Sequence, residues 1–331
     1  MELVHFERMP VPGRHSIEGL FRQIRQALSD RFVVDVVRCP TPHDSKWWLP
    51  IGIFRARARS RDINHIVGDI HYVALGLPKN RTVLTIHDLN RLDHLHGMRK
   101  TLYRWLYFTL PLRHCRAVTA VSHCTRERLV ELFPFISEKC TVIPDCVGAD
   151  FVQSPKAFNR SCPRILHLGT APNKNLENVI KAVAGTPCVL HIIGKLSPEQ
   201  HALLDAHKVE YETAFDLSRA AIVRAYEDAD LVVFPSLAEG FGLPIIEAQA
   251  VGRPVITSDL SPMREVADGA ACLVDPRNYM SIRDGIRRVV EDDAYRTGLI
   301  EQGYRNTVRY TAACIASQYA AVYDKVCPSF S

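Results

Sequence analysis

The chain has 331 residues, enough for two domains of ordinary size, and 47% of them are hydrophobic, as in a globular protein. Its 41 basic and 36 acidic residues leave a net charge of +5, an excess too mild to imply nucleic-acid binding but suited to anionic small molecules or an anionic membrane surface. No run of eighteen apolar residues occurs, which excludes a transmembrane helix. The opening MELVHFERMPVPGRHS has no long apolar core and does not read as a signal peptide, so a cytoplasmic protein is expected. Ten cysteines are scattered without a CxxC pair and read as buried free thiols; no metal site is expected.

Along the first half, apolar runs at 3–6, 32–37, 63–67, 82–86, 117–121 and 141–143, alternating with helical patterns, predict the strands of a parallel sheet. Amphipathic patterns predict helices over 16–28, with Ser16 as a capping-type start, and over 99–115 and 125–133. The fourth run ends in Thr85-Ile86-His87-Asp88-Leu89. A His-Asp pair there stands at a strand's carboxyl end, where open α/β sheets bind ligands. Gly68-Asp69-Ile70-His71-Tyr72 follows the third run; His71 is either an acceptor-side residue or a plain surface one. The stretch 94–116 mixes Arg99, Lys100, Arg104, Arg113 and Arg116 with Tyr103, Trp105, Tyr107 and Phe108. It is either an interfacial helix for a membrane-bound acceptor or a core-packed helix with basic exposed positions.

A breaker-rich linker, GADFVQSPKAFNRSCP, spans 148–163. Strands are expected at 164–168, 188–193, 209–212, 231–234, 255–257 and 272–274. Ser197-Pro198-Glu199-Gln200 is a capping box with proline at the first helical position, Ser261-Pro262 opens another helix, and three helical stretches follow Tyr279, Tyr295 and Thr311. Between the first strand and its helix lies Gly169-Thr170-Ala171-Pro172-Asn173-Lys174-Asn175. Lys174 at a helix start would favour a pyrophosphate through dipole, free N–H groups and cation together. Asp228-Ala229-Asp230 spells DxD, but it precedes a strand at its amino end and reads as helix end and strand entry.

The densest signal is FPSLAEGFGLPIIEAQAVGRPVITSDLSPMREVADGAACLVD over 234–275. A buried strand ends at Pro235, a glycine-bearing turn carries Glu239, and a helix begins near Pro244. The N–H groups of Gly240, Phe241, Gly242 and Leu243 lack helical acceptors and could donate to an anion or to sugar hydroxyls. Glu247, in the first helical turns, could point to the same side.

The string EGFGLPIIEAQAVGRPVITS resembles the signature of the retaining glycosyltransferases of family 4, with their glycosyltransferases group 1 domain. The resemblance implies the glycosyltransferase-B fold: two Rossmann-like, doubly wound parallel-sheet α/β domains facing a cleft. It implies an acceptor-side domain over 1–150, a nucleotide-sugar-binding domain over 151–310, and a last helix within 311–331 that packs back on the first. Carried over residue by residue, Glu239 lies near the donor sugar and Glu247 binds the ribose. Lys174 binds the donor diphosphate, with Gly169, Thr170 and Asn173 beside it, and His87 lies beside the reacting sugar. Gly13, in the first strand-to-helix turn, matches a glycine that such families place near the acceptor or the phosphates. The family often adds an arginine where Thr170 or Asn173 stands here, which would shift phosphate neutralisation onto Lys174.

The expected function is therefore metal-independent, retaining transfer of a hexosyl unit from a nucleotide-diphospho-sugar to a hydroxyl of a saccharide or lipid-linked acceptor, in cell-surface polysaccharide or glycolipid synthesis. No cofactor is expected beyond the donor, no nucleic acid is a partner, and peripheral contact at the inner face of a membrane is compatible. The rivals are another enzyme on the same fold, a nucleotide-sugar epimerase or phosphorylase, and a non-catalytic nucleotide- or polysaccharide-binding protein.

Overall fold

The computed structural model describes residues 1–9, 16–41 and 47–328. Two compact units divide the chain. The first holds Met1–Cys146 and takes back the C-terminal helix Ala312–Val326; the second is Val147–Thr311.

The first unit is built on a six-stranded, all-parallel sheet. Its strands are β1 (Glu2–Arg8), β2 (Val33–Cys39), β3 (Ile63–Ile66), β4 (Thr82–Ile86), β5 (Ala117–Ala120) and β6 (Cys140–Val142), in the order β2-β1-β3-β4-β5-β6. The inner strands β3 and β4 are buried along their whole length, so their sequences are continuous apolar or hydrogen-bonded runs with no alternation. Helix Ser16–Leu28 buries Leu20, Phe21, Ile24 and Leu28, a stripe at helical spacing.

Helix Ala312–Val326 is locked to this sheet by polar as well as apolar contacts. Its Tyr323 hydroxyl lies 3.2 Å from His5 Nε2 on β1 and 2.7 Å from His65 Nδ1 on β3, donating to one ring and accepting from the other. His65 Nε2 continues the chain to Thr85 Oγ1 at 2.7 Å, and Thr85 to Thr119 Oγ1 at 2.7 Å. All four of these strand residues are fully buried.

Two local departures from the sequence reading have physical causes. The helix expected over 99–115 is interrupted: Gly97–Tyr103 is α-helical, Arg104–Thr109 winds as a wider π-turn, and Leu110–His114 resumes the α-helix. Pro111 has no N–H to give the carbonyl of Tyr107 four residues back, and His71 Nδ1 donates to that carbonyl instead, at 2.8 Å. Helix Trp48–Ala58 carries Pro50 and Gly52, which disguise it as a loop. Gly52 is required by packing, because a Cβ there would lie 2.1 Å from the Tyr72 hydroxyl.

The second unit repeats the plan with β7 (Arg164–Leu168), β8 (Val189–Ile193), β9 (Tyr211–Ala214), β10 (Leu231–Phe234), β11 (Val255–Ser258) and β12 (Cys272–Val274), ordered β12-β11-β10-β7-β8-β9, again all parallel. The strand expected at 209–212 begins two residues later. Lys208 takes φ +51° and Val209 N–H bonds Leu204 O at 3.1 Å, so both residues close the preceding helix. The expected capping box at Ser197 and Gln200 is formed. Asp228 ends helix Arg219–Asp228. Asp230 is consumed by structure, accepting from Lys156 Nζ at 2.8 Å, Asn159 N at 3.1 Å and Arg164 N at 2.7 Å.

Burial pushes His65 down to about 3, with nearby His87 acting the same way. Burial also holds His5 well below its usual range, with His65 and Arg25 adding repulsion. Both rings are neutral in the fold, whereas in the unfolded chain they protonate below about pH 6.5. Their contribution is thus present above that pH and lost as pH falls, for His65 by about 2 kcal/mol on reaching pH 5. Denaturant titrations at pH 7.5 and 5.0 should show this loss, and His65→Gln should flatten it; an equal slope in the variant would contradict the assignment.

Candidate functional site

In the second unit, β7 and β10 are neighbours, and the loops leaving their carboxyl ends are stitched together. Leu237 N–H bonds Asn173 O at 2.8 Å, and Asn173 Nδ2 donates to Ala238 O at 3.0 Å. Asn175, buried and left-handed at φ +65°, donates from Nδ2 to Pro235 O at 3.0 Å and to Pro276 O at 2.7 Å. That one side chain ties the loop after β7 to those after β10 and β12.

The stitched loops bring Lys174 Nζ to Glu239 Oε1 at 2.6 Å. The ammonium also sits 4.9 Å from the centre of the Phe234 ring. Gly169, at φ +91°, makes the path for this side chain: a Cβ there would lie 2.8 Å from Lys174 Cγ. Thr170 is held by its own bonds, Oγ1 to Lys195 O at 2.8 Å and its carbonyl to Gln200 Nε2 at 2.9 Å. Below the pair lies His167, whose Nδ1 donates to Val233 O at 2.9 Å; burial pushes it down to about 4, so it adds no charge beside the lysine.

Helix Leu243–Val251 starts after Gly242, which stands at φ +114° and gives no side-chain cap, with Pro244 in the first turn. A ligand anion is thus favoured at this end by the helix dipole. The Phe241 ring is core, edge-on to Tyr310 at 5.6 Å, so only its backbone is available to a ligand.

Glu247 belongs to a different cluster. It is buried, accepts from the Tyr226 hydroxyl at 2.7 Å and lies 3.3 Å from Arg219 Nη1. Arg219 also grips Asp150 through two bonds, 2.7 and 3.0 Å, and lies over the Phe151 ring at 4.3 Å. Burial raises the Glu247 carboxyl above its ordinary range, opposed first by the Arg219 charge. Sequence reading missed Asp150, Arg219 and Tyr226. The seven-residue spacing of Arg219 and Tyr226, which puts them on one helix face, was the available signal.

In the first unit, His87 at the end of β4 is buried and spoken for. Its Nε2 donates to Val67 O at 3.0 Å, and Nδ1 lies 3.6 Å from Asp145 Oδ1. Burial raises the Asp145 carboxyl, with His87 opposing. A proton-transfer role for His87 would require giving up one of these partners. His71 is buried, so the surface reading of it is corrected. Because its Nδ1–H goes to the Tyr107 carbonyl and burial lowers its pKa, Nε2 carries a lone pair, and among the described residues that atom has no hydrogen-bond partner. Gly13 lies outside the described residues.

Two six-stranded, all-parallel α/β units are the architecture of the glycosyltransferase-B class. A Glycosyltransferase Family 4 model matches residues 13–151 and a Glycosyl transferases group 1 model residues 154–306; the chain belongs to this family. It is similar to the O-antigen chain mannosyltransferase RfbU of Salmonella typhimurium, 27% identical over 222 residues, which is 64% of this chain and 62% of that protein. It is also similar to the Escherichia coli O-antigen chain mannosyltransferase B, 25% identical over 249 residues, 65% of this chain and 63% of that protein. The matches thus span less than two thirds of these relatives. The fold superposes on Anabaena HepE in complex with UDP and glucose at a TM-score of 0.80, with 17% identity, 98% of this chain and 100% of that one covered.

Glu247→Ala would leave the buried Tyr226 hydroxyl without its acceptor, so it should cost about 1–3 kcal/mol of stability. Glu239→Gln, at a part-exposed pair, should cost less than about 1 kcal/mol. Urea unfolding of the two variants measures the contrast, and equal losses would refute the separation into a buried, networked carboxylate and a part-exposed one.

Proposed function

We propose that this chain transfers a hexosyl unit, mannosyl foremost, from a nucleoside-diphospho-sugar to a hydroxyl of a saccharide or lipid-linked acceptor, with retention at the anomeric carbon. The observation that carries the reading is the Lys174–Glu239 pair, 2.6 Å apart where β7 and β10 end. Family membership and the mannosyl chemistry named for the two bacterial relatives support it.

The physical logic is an exchange of partners. A diphosphate arriving beside Lys174 offers the ammonium a more highly charged acceptor than one carboxylate. Glu239 is then released to accept hydrogen bonds from sugar hydroxyls and to fix the anomeric carbon. As the bond from that carbon to the phosphate oxygen breaks, charge grows on the diphosphate, where Lys174 and the N–H groups opening helix Leu243–Val251 would stabilise it. The acceptor oxygen bonds the anomeric carbon on the same face, and its proton passes to the departing phosphate oxygen. The products are a glycoside and a nucleoside diphosphate.

Lys174→Ala should lower kcat/KM by about 2–4 kcal/mol of transition-state stabilisation and weaken nucleoside diphosphate binding. Glu239→Ala should lower kcat about 100-fold, as displacement of the sugar by about 1 Å would, while the nucleoside diphosphate still binds. Calorimetry paired with a transfer assay reads both; native turnover in either variant would overturn that residue's role.

The cation at this site is a side chain, and among the described residues no three His, Cys, Asp or Glu side chains are grouped to hold a metal ion. Turnover is therefore expected to persist in EDTA. Loss of turnover that manganese or magnesium restores would contradict it.

A further inference from the structure

Two helices of the first unit each carry an unusual surface. On helix Trp48–Ala58 and the residue before it, Trp47, Ile51 and Phe54 are exposed at spacings of four and three, one outward ridge. On the helix beginning at Gly97, Met98, Leu102 and Trp105 repeat the same spacing and are likewise exposed. Trp47, Phe54, Met98, Leu102 and Trp105 each expose more than half of their surface, Met98 as much as 87%. Buried or interior positions suit such side chains better, so two matching ridges call for a partner.

The flanking charge specifies that partner. Residues 47–59 and 95–116 together contain eight lysines and arginines and not one aspartate or glutamate. All eight, among them Arg55, Arg57, Arg59, Arg99 and Lys100, are exposed.

Both helices also root in one aromatic cluster. Trp48 is edge-on to Tyr72 at 4.6 Å and lies 5.8 Å from Tyr107, which stacks on Tyr103 at 4.5 Å. The ridges project from the opposite helix faces, with Gly52 and Ala56 inward on one helix and Tyr103 and Tyr107 inward on the other. Among the described residues no helix is long and apolar enough to cross a bilayer.

We infer that the two ridges form one docking surface for an anionic lipid bilayer, the apolar side chains entering the headgroup boundary and the arginines and lysines meeting lipid phosphates. An apolar face flanked by cations and free of acids is what an interfacial helix needs, and a cluster of four to eight basic residues is the usual complement of an anionic leaflet. A nucleic acid would meet the cations but not six exposed apolar side chains between them. The inference extends the transferase reading by bringing the enzyme to a lipid-linked acceptor, but it is tested without turnover, so either can fail alone.

The experiment is vesicle flotation of the full chain with phosphatidylcholine alone and with phosphatidylcholine containing about a third phosphatidylglycerol, as for a peripheral protein held by two signals. Binding should need the anionic lipid and weaken at least tenfold from low to high salt. Trp47→Ser, Phe54→Ser, Leu102→Ser and Trp105→Ser combined should cut it at least tenfold with the melting temperature unchanged. Arg55→Glu, Arg57→Glu, Arg99→Glu and Lys100→Glu combined should abolish it. Val152→Ser, an exposed apolar residue of the other unit, should leave it intact. No binding by the native chain, or native binding by the ridge variant, overturns the inference. Self-association that the serine substitutions abolish, without vesicle binding, would assign the ridges to a second copy and overturn it as well.

Discussion

The ion pair between Lys174 and Glu239 is the contact on which the proposed chemistry rests. It joins residues 65 positions apart, and it forms because β10 lies directly beside β7 in the sheet. Everything around it serves its geometry: the left-handed Asn175 that pins three loops, the Asn173 amide that fixes the Ala238 carbonyl, and the glycine that clears a path for the lysine stem. A cation held at a strand end by one carboxylate keeps its charge in place and leaves it exchangeable. In the proposed reaction a diphosphate would compete for it with two charges or more, and the same step would free the carboxylate for the sugar.

The second carboxylate illustrates how equal residue types are sorted by surroundings. Glu239 is paired with Lys174 alone among the ion pairs of the described residues and is partly exposed. Glu247 is buried, bonded to a tyrosine hydroxyl and to an arginine that is itself gripped by Asp150. In the proposed reaction the first changes partners while the second stays where it is. A ribose hydroxyl reaching Glu247 would join an existing network of Arg219, Asp150 and Tyr226 rather than meet an open group.

Much of this was legible in the sequence. Parallel strands leave apolar runs even where, as in β2, one is largely exposed, so eleven of the twelve strands lie close to where those runs stand, and the EGFGLP turn marks the candidate site. What escaped was whatever depends on distant contact. Asp150 sits in a stretch whose composition reads as linker. Helix Trp48–Ala58 is hidden by a proline and by a glycine that packing against Tyr72 requires. The wide turn at Arg104–Thr109 depends on a histidine more than thirty residues away that satisfies the carbonyl Pro111 cannot. The lysine–glutamate pairing itself follows from strand order, which no local pattern contains.

The two histidines at the strand ends of the first unit exchange standing once their ring nitrogens are followed. His87, singled out by its position, has its Nε2 bonded to Val67 O and its Nδ1 3.6 Å from the Asp145 carboxyl, whereas His71 keeps an unbonded lone pair at Nε2. The account as a whole is tested most directly by the stereochemistry of transfer. The purified chain is offered UDP-glucose and GDP-mannose with a lipid-linked or saccharide acceptor, and the anomeric configuration of the product is read by proton NMR. The account predicts transfer from at least one donor with the α-configuration of the donor retained. A product of inverted configuration, or hydrolysis and epimerisation of the donors without transfer, would contradict it.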